Sequence, residues 1–322
     1  SYNWTGSLNG LSETYVTVTS SEYFTPGFKN VIAWTADSMT VSGNRFRDHE
    51  PFNDTASTTF IACDGPMAGV RQIGGTGRNY NNIDEFIEAI RQCGVSGDLT
   101  VNIAPGVFEQ NVTMPPIQGA ASNATVTFQP LNGDTNSVII RVPDNETCAL
   151  NMDSARYVIF NGIRFETSAR TSGSTSSLVK FSKNSHDCTL SRCSFIDSTT
   201  DYLSTLVNTN AMNGLTIDNC YFKGGNIAVQ MAGTDTNDLS HGNRISRSYF
   251  DTPKQTAVNL ENQSSPIVDS NYFNNSVSNN SAILLVNRCY DTTKITRNRI
   301  YTTNGAYGML IKNTKGLNDS TF

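Results

Sequence analysis

Tyr221, Tyr249 and Tyr272 each stand immediately before a phenylalanine, and the same place is held by Ser194 before Phe195 and by Arg299 before Ile300. Aromatic faces stack on sugar rings, and a phenol or guanidinium in such a row can bind a hydroxyl or a carboxylate. Beside it runs a row of turn residues, Arg192, Asp218, Arg247, Asp269 and Arg297. The ligand-binding candidates are therefore Tyr221, Tyr249, Tyr272, Arg299, Asp218 and Asp269. A polysaccharide lyase asks more of the same rows: a cation to neutralise a uronate carboxylate, and a base to remove the neighbouring C5 proton. Tyr249, Arg247, Arg297 and Arg299 are the residues that could serve. The plainer alternative is that side chains in a parallel stack always line up, and stacked tyrosines can stabilise a flank without binding anything.

Other polar clusters carry less. Asp235, Asp238 and His241 in "GTDTNDLSHGNR" could form the carboxyl group pair of a hydrolase, but Asp, Asn and Gly are also what a turn between strands needs. Asp48, Glu50, Asn53 and Asp54 in "DHEPFND" could chelate Ca²⁺ from one loop, with a plain turn as the alternative. No cluster of three or four acids near the tyrosine row suggests a calcium cage, and no cofactor is expected. Gly74 to Gly77 lacks the Lys-Ser/Thr ending of a phosphate loop. Sequons at Asn111 and Asn123 are what an Asn- and Thr-rich chain produces by chance.

The rows exist because one phrase is written six times. An apolar residue is followed three places later by a small or amide residue, and two places after that by Phe or Ile. The copies are Phe160/Ile163/Phe165, Leu190/Cys193/Phe195, Ile217/Cys220/Phe222, Ile245/Ser248/Phe250, Val268/Asn271/Phe273 and Ile295/Asn298/Ile300. Their last residues lie 30, 27, 28, 23 and 27 positions apart, the length of one solenoid turn and far too long for a heptad. Cys193, Cys220, Ser248, Asn271 and Asn298 then form an inward column, in which amides can bond to one another and to the next coil. From Val158 onward each period holds a second apolar strand: 178–181, 205–208, 227–231, 257–260, 283–286 and 308–311.

Ahead of the coils the spacing of Ile83, Phe86, Ile87 and Ile90 predicts a helix over 83–93, with Asn81 or Asn82 and Glu85 as a capping box and Gly94 past its end. Its apolar face suits it to plug the open first coil. Strands are expected at 99–103, 125–128 and 138–141. Residues 67–76 read as a linker, and 1–66 hold β-like pieces at 15–19, 30–35 and 58–62, too few to close a sandwich.

"IGGTGRNYNNIDEFIEAIRQCGVSGDLTVNIAPGVFEQNVTMP" resembles the opening segment of right-handed parallel β-helix proteins of the pectate-lyase-like superfamily, in the form found in large secreted proteins of Bacteroidetes-type bacteria. The helix, the strand after it and the turn at Pro105 to Phe108 carry the resemblance, which with the coils covers roughly residues 70–322. It is superficially similar to pectin methylesterase as well, but the "DFIFG" and Gln-Asp-Thr patterns that supply that family's catalytic groups are absent. Residues 1–66 resemble the second half of an immunoglobulin-like, cell-adhesion-related module. The fold class implied is all-β: a right-handed parallel β-helix over 77–322 with one capping helix, preceded by a partial β-sandwich. The resemblance further implies a secreted or surface-anchored protein, export by a type IX system and a role in attachment or gliding.

Composition agrees with an extracellular β protein. Charged residues are only 16%, so solubility rests on amides and hydroxyls. A net charge of −5 offers no basic track for nucleic acid, and no apolar run is long enough to span a membrane. Seven cysteines cannot all pair within one chain and match no zinc spacing; a disulfide between stacked coils stays open. No leader is visible at Ser1 and no cap follows the strand at 307–311, so the segment reads as cut from a longer polypeptide whose other domains are its neighbours. The expected function is adhesion or glycan binding to an extracellular polysaccharide or surface glycan. The alternatives are a lyase or hydrolase of an acidic glycan, and a passive spacer.

Overall fold

The computed structural model describes residues 15, 17, 23–34, 38–41, 44–47, 55–144, 146–167, 177–182, 184–197, 205–275, 282–302 and 307–314. The chain divides into two compact units, Ser1–Asp64 and Gly65–Phe322. In the first, Gly27–Trp34 pairs antiparallel with Thr55–Ala62, and Ser38–Val41 pairs antiparallel with Asn44–Arg47. Most of the strand expected at 15–19 and all four calcium candidates, Asp48, Glu50, Asn53 and Asp54, lie outside the described residues.

The second unit is a parallel β-helix of about eight turns. Three sheets run its length, here called faces 1, 2 and 3 in the order the chain visits them, and every pairing in them is parallel. In one turn, Thr216–Asp218 lies on face 1, Tyr221–Lys223 on face 2 and Ile227–Ala232 on face 3. The six-fold phrase is thus two short strands rather than one. Its first residue points inward on face 1 and its last inward on face 2, with a sharp bend between them.

The inward residues stack. Phe195, Phe222, Phe250 and Phe273 lie ring over ring with centroids 4.7 Å apart, and Phe165 heads the column 5.4 Å above Phe195. All five are fully buried, and each removes enough apolar surface from water to stabilise the fold by about 1.5–3 kcal/mol. Identical rings in register repeat at the strand spacing, so stacking and hydrogen-bonded pairing favour the same geometry. At the bend, the Cys/Ser/Asn column forms the ladder its residue types allow. Asn298 Oδ1 accepts from the backbone N–H and from Nδ2 of Asn271, Asn271 Oδ1 from the N–H of Ser248, and Ser248 Oγ from the N–H of Cys220. Cys193 and Cys220 are buried free thiols donating to carbonyls of the preceding coil, whereas Cys63 and Cys93 are disulfide-bonded.

The helix spans Ile83–Cys93, capped by the Asn82 side chain, which accepts from the N–H of Glu85. Glu85 reaches back to the N–H of Asn81, one residue earlier than a capping box requires. Ile83, Phe86, Ala89 and Ile90 are buried, and Phe86 meets Phe128 edge-on at 5.5 Å, closing the top of the aromatic core. The linker expected at 67–76 is corrected here. Met67–Ile73 is the first strand of face 1 and pairs with Val95–Ile103. Two adjacent parallel strands need a crossover of a dozen or more residues, and the helix supplies it.

Candidate functional site

The bend between faces 1 and 2 turns on one residue per coil. Gly162, Arg192, Asn219, Arg247, Ser270 and Arg297 all have φ between 52° and 73°. Five of the six are not glycine, and a side chain there costs roughly 1–2 kcal/mol of local strain. Their N–H groups recover part of it across the coils: that of Arg247 donates to the carbonyl of Asp269 at 3.1 Å, and that of Ser270 to Thr296 at 3.0 Å. Gly162 is different, because a Cβ there would lie 3.1 Å from the Thr135 methyl.

The sequence places Arg192, Asp218, Arg247, Asp269 and Arg297 in one row; the structure separates them. Ser191, Asp218, Ser246, Asp269 and Thr296 are in register as the last outward residues of face 1. The arginines sit one residue later, on the bend. Each reaches back one coil, Arg192 Nε to Asn161 Oδ1 at 2.8 Å, Arg247 Nε to Asp218 Oδ1 at 2.9 Å, and Arg297 Nε to Asp269 Oδ1 at 2.9 Å. Each aspartate also accepts from Nη2 of its arginine and from a hydroxyl of the following coil, Ser246 or Thr296. The hydrogen bonds from Arg247 and Ser246 hold the carboxyl of Asp218 below the usual range, and those from Arg297 and Thr296 do the same to Asp269.

A groove of about 510 Å³ lies along this corner, lined by Thr189, Thr216, Arg244, Ser246 and the two Asp–Arg pairs. Among the described residues Arg244 is its one cation not held closely by a carboxylate: Nε bonds Ser246 Oγ at 3.2 Å, and Nη2 stands 3.9 Å from Asp269. A second groove of about 340 Å³ continues up the same bend past Gln129, Asn161 and Arg192. Arg244, Thr189 and Thr216 are absent from the sequence-based candidates. The signal that could find them is strand alternation, since they stand two residues before Ser246, Ser191 and Asp218.

The tyrosine row faces elsewhere. Ser194, Tyr221, Tyr249, Tyr272 and Arg299 are in register on face 2, around the bend from the aspartates. Tyr249 and Tyr272 stack at 5.0 Å, Tyr221 and Tyr249 at 5.8 Å, so the ring faces a sugar would need are turned to one another. Tyr221 donates to Asp251 at 3.0 Å; burial and that carboxylate push its phenol up to about 12. Of the four lyase candidates, Tyr249 and Arg299 thus stand on face 2 while Arg247 and Arg297 stand at the corner, bound to carboxylates.

Both carboxyls of the corner carry arginine partners. Asp218 and Asp269 lie two coils apart, roughly 10 Å by strand spacing, close to the separation an inverting glycosidase uses. Such an enzyme needs one carboxyl protonated near neutrality, and both of these are driven towards ionisation. Asp235, meanwhile, folds back on the N–H groups of Asn237 and Asp238, the bonds of a turn. No group of three or more metal-ligating side chains occurs among the described residues.

No family model matches the chain, and no curated protein matches it. Among solved structures, the pectin methylesterase from Aspergillus niger in deglycosylated form aligns with 12% identity over 80% of this chain and 89% of that one, at a TM-score of 0.40. Escherichia coli YbhC aligns with 10% identity over 85% and 91%, at 0.42, and the pectin methylesterase from carrot with 12% over 81% and 86%, at 0.39. Likeness of this degree says nothing of activity, and the parallel β-helix stands on the strand pairing itself.

Proposed function

We propose that this chain is a carbohydrate-binding segment of a secreted or surface-attached protein, and that it holds a polysaccharide in the groove along the bend between faces 1 and 2. The observation that carries the reading is the lining of that groove. Thr189, Thr216 and Ser246, the aspartates Asp218 and Asp269 and the guanidinium-bearing Arg244 line one groove, which brings hydroxyl, carboxylate and guanidinium residues together. Those are the donors and acceptors that sugar hydroxyls pair with, and the Asp–Arg bridges fix their directions before any ligand arrives. The disulfide-bonded Cys63 and Cys93 favour an oxidising compartment, which suits an extracellular role. Adhesion is the use we assign, since the paired arginines and ionised aspartates supply fixed contacts rather than a proton relay.

A glycan array followed by calorimetry tests this. Binding without release of unsaturated or reducing ends is expected, reduced at least about tenfold by combining Arg244→Ala with Asp218→Ala, and little changed by Tyr249→Ala. Turnover of a bound polysaccharide would overturn the adhesive reading. Loss of binding in Tyr249→Ala alone would move the site to face 2, and no binding to any glycan would leave a passive spacer.

A further inference from the structure

Among the described residues, Arg244 is the cation of the groove whose charge the protein leaves uncancelled. Its side chain is 43% exposed, and Nε donates to Ser246 Oγ at 3.2 Å. The N–H groups on Nη1 and Nη2 have no hydrogen-bond partner among the described residues, and the carboxylate of Asp269 stands 3.9 Å from Nη2. That carboxylate is already taken: Arg297 donates to both its oxygens, and Thr296 and Ser270 add hydroxyls. Asp218 is taken in the same way by Arg247 and Ser246. Three arginines against two aspartates leave the lining with a net charge of +1, on a chain whose total is −5. The excess lies at Arg244. Ser246 fixes it there, since its hydroxyl accepts from Arg244 and donates to Asp218 at 2.8 Å. Along face 1 Arg244 is in register with Thr216 and, one coil further up, Thr189; below it stand Ile267 and then Lys294.

We propose that Arg244 is the residue by which the groove selects an acidic sugar, taking one anionic substituent, a carboxylate or a sulfate ester, of a polysaccharide that lies along the corner. The inference rests on the glycan-binding reading and adds the class of sugar and the residue that reads it. Nη1 and Nη2 present the two-pronged edge that the oxygens of an oxyanion can bridge. Asp218 and Asp269 do not oppose the anion as free carboxylates would, because each is matched by its own arginine. The neighbouring sugars then meet the hydroxyl residues Thr216 and Thr189 on one side and the half-buried Ile267 on the other. Ser246 is a positioning residue: it holds the guanidinium so that less side-chain freedom is lost on binding.

The test is calorimetry on the full chain with three polymers: hyaluronan, which carries carboxylates; hyaluronan with its carboxyls reduced to alcohols, which carries no charge; and carboxyl-reduced chondroitin sulfate, which carries sulfate esters alone. At least one charged polymer should bind roughly five- to tenfold more tightly than the neutral one, a preference that shrinks as salt rises. Preference for hyaluronan alone identifies the substituent as a carboxylate, preference for the sulfated polymer alone as a sulfate ester, and preference for both as either oxyanion. Arg244→Gln should remove the difference between charged and neutral polymers at an unchanged melting temperature. Ser246→Ala should shrink that difference and Ser246→Thr should keep it. Lys294→Gln, which removes a charge two coils along the same column, should leave it intact. Equal binding of all three polymers overturns the acidic-sugar proposal and leaves the glycan reading standing. Failure of all three to bind overturns both. A preference that survives in Arg244→Gln overturns the assignment to Arg244, and tighter binding of single-stranded DNA than of any polysaccharide overturns the sugar.

Discussion

At the scale of single residues, the useful distinction is between side chains that are held and side chains that are offered. Tyr221 is held: its hydroxyl donates to Asp251, its ring lies against Tyr249, and ionisation would set a phenolate beside a carboxylate. A phenol whose folded value is raised to about 12, against about 10 when unfolded, stabilises the fold fully below pH 10. That contribution disappears as pH climbs from about 10 to about 12, because the unfolded chain ionises first. Ultraviolet titration should therefore show Tyr221 ionising well after the exposed tyrosines, and Asp251→Asn should bring it only part of the way back, because burial holds up the rest. If the titration of Tyr221 does not move at all in that variant, the carboxylate has no share in the rise. The arginines of the bend combine both roles, fixed through Nε and with no partner at Nη1 among the described residues.

At the scale of elements, a short strand, one residue in the left-handed region and another short strand make a corner, and stacking corners makes the fold. The stack was legible in the sequence because one spacing recurs six times, and a packed column tolerates little variation in its members. The helix was equally legible, since its caps and its apolar face are local. Sequence alone puts the charged side chains one residue out of register, because Asp218 and Arg247 fall at nearly the same place in successive repeats while the bend assigns them to different columns. Only the pairing shows that Ser246, not Arg247, is level with Asp218. Sequence alone hides the strand Met67–Ile73 for a related reason: only its end residues are buried, so it lacks the alternation that marks a strand. The aromatic column gives the firmest expectation at this scale. Phe222 stacks at 4.7 Å on both Phe195 and Phe250, and Phe222→Ala should lower the unfolding free energy by about 3–5 kcal/mol in urea titrations. A loss below about 1 kcal/mol would mean that the column collapses around the gap and is not rigidly stacked.

At the scale of the whole β-helix, each coil touches only its neighbours, so stability is a chain of nearest-neighbour terms with no single centre. The top of that chain is closed by the helix, where Phe86 stands edge-on between Tyr80 and Phe128. Removing the ring in Phe86→Ala should uncover the first coils without loosening those further down, because the coils around Phe222 and Phe250 keep both their partners. Hydrogen exchange should report this directly. Amides of Met67–Ile73 and Val95–Ile103 should exchange faster in the variant, while those of Thr216–Asp218 and Ile267–Asp269 keep their protection. Equal acceleration along all three faces would instead show that the coils unfold as one cooperative body. The groove at the lower corner would then owe its fixed geometry to the distant helix as much as to its own Asp–Arg pairs, and polysaccharide binding would weaken in Phe86→Ala along with the top of the stack.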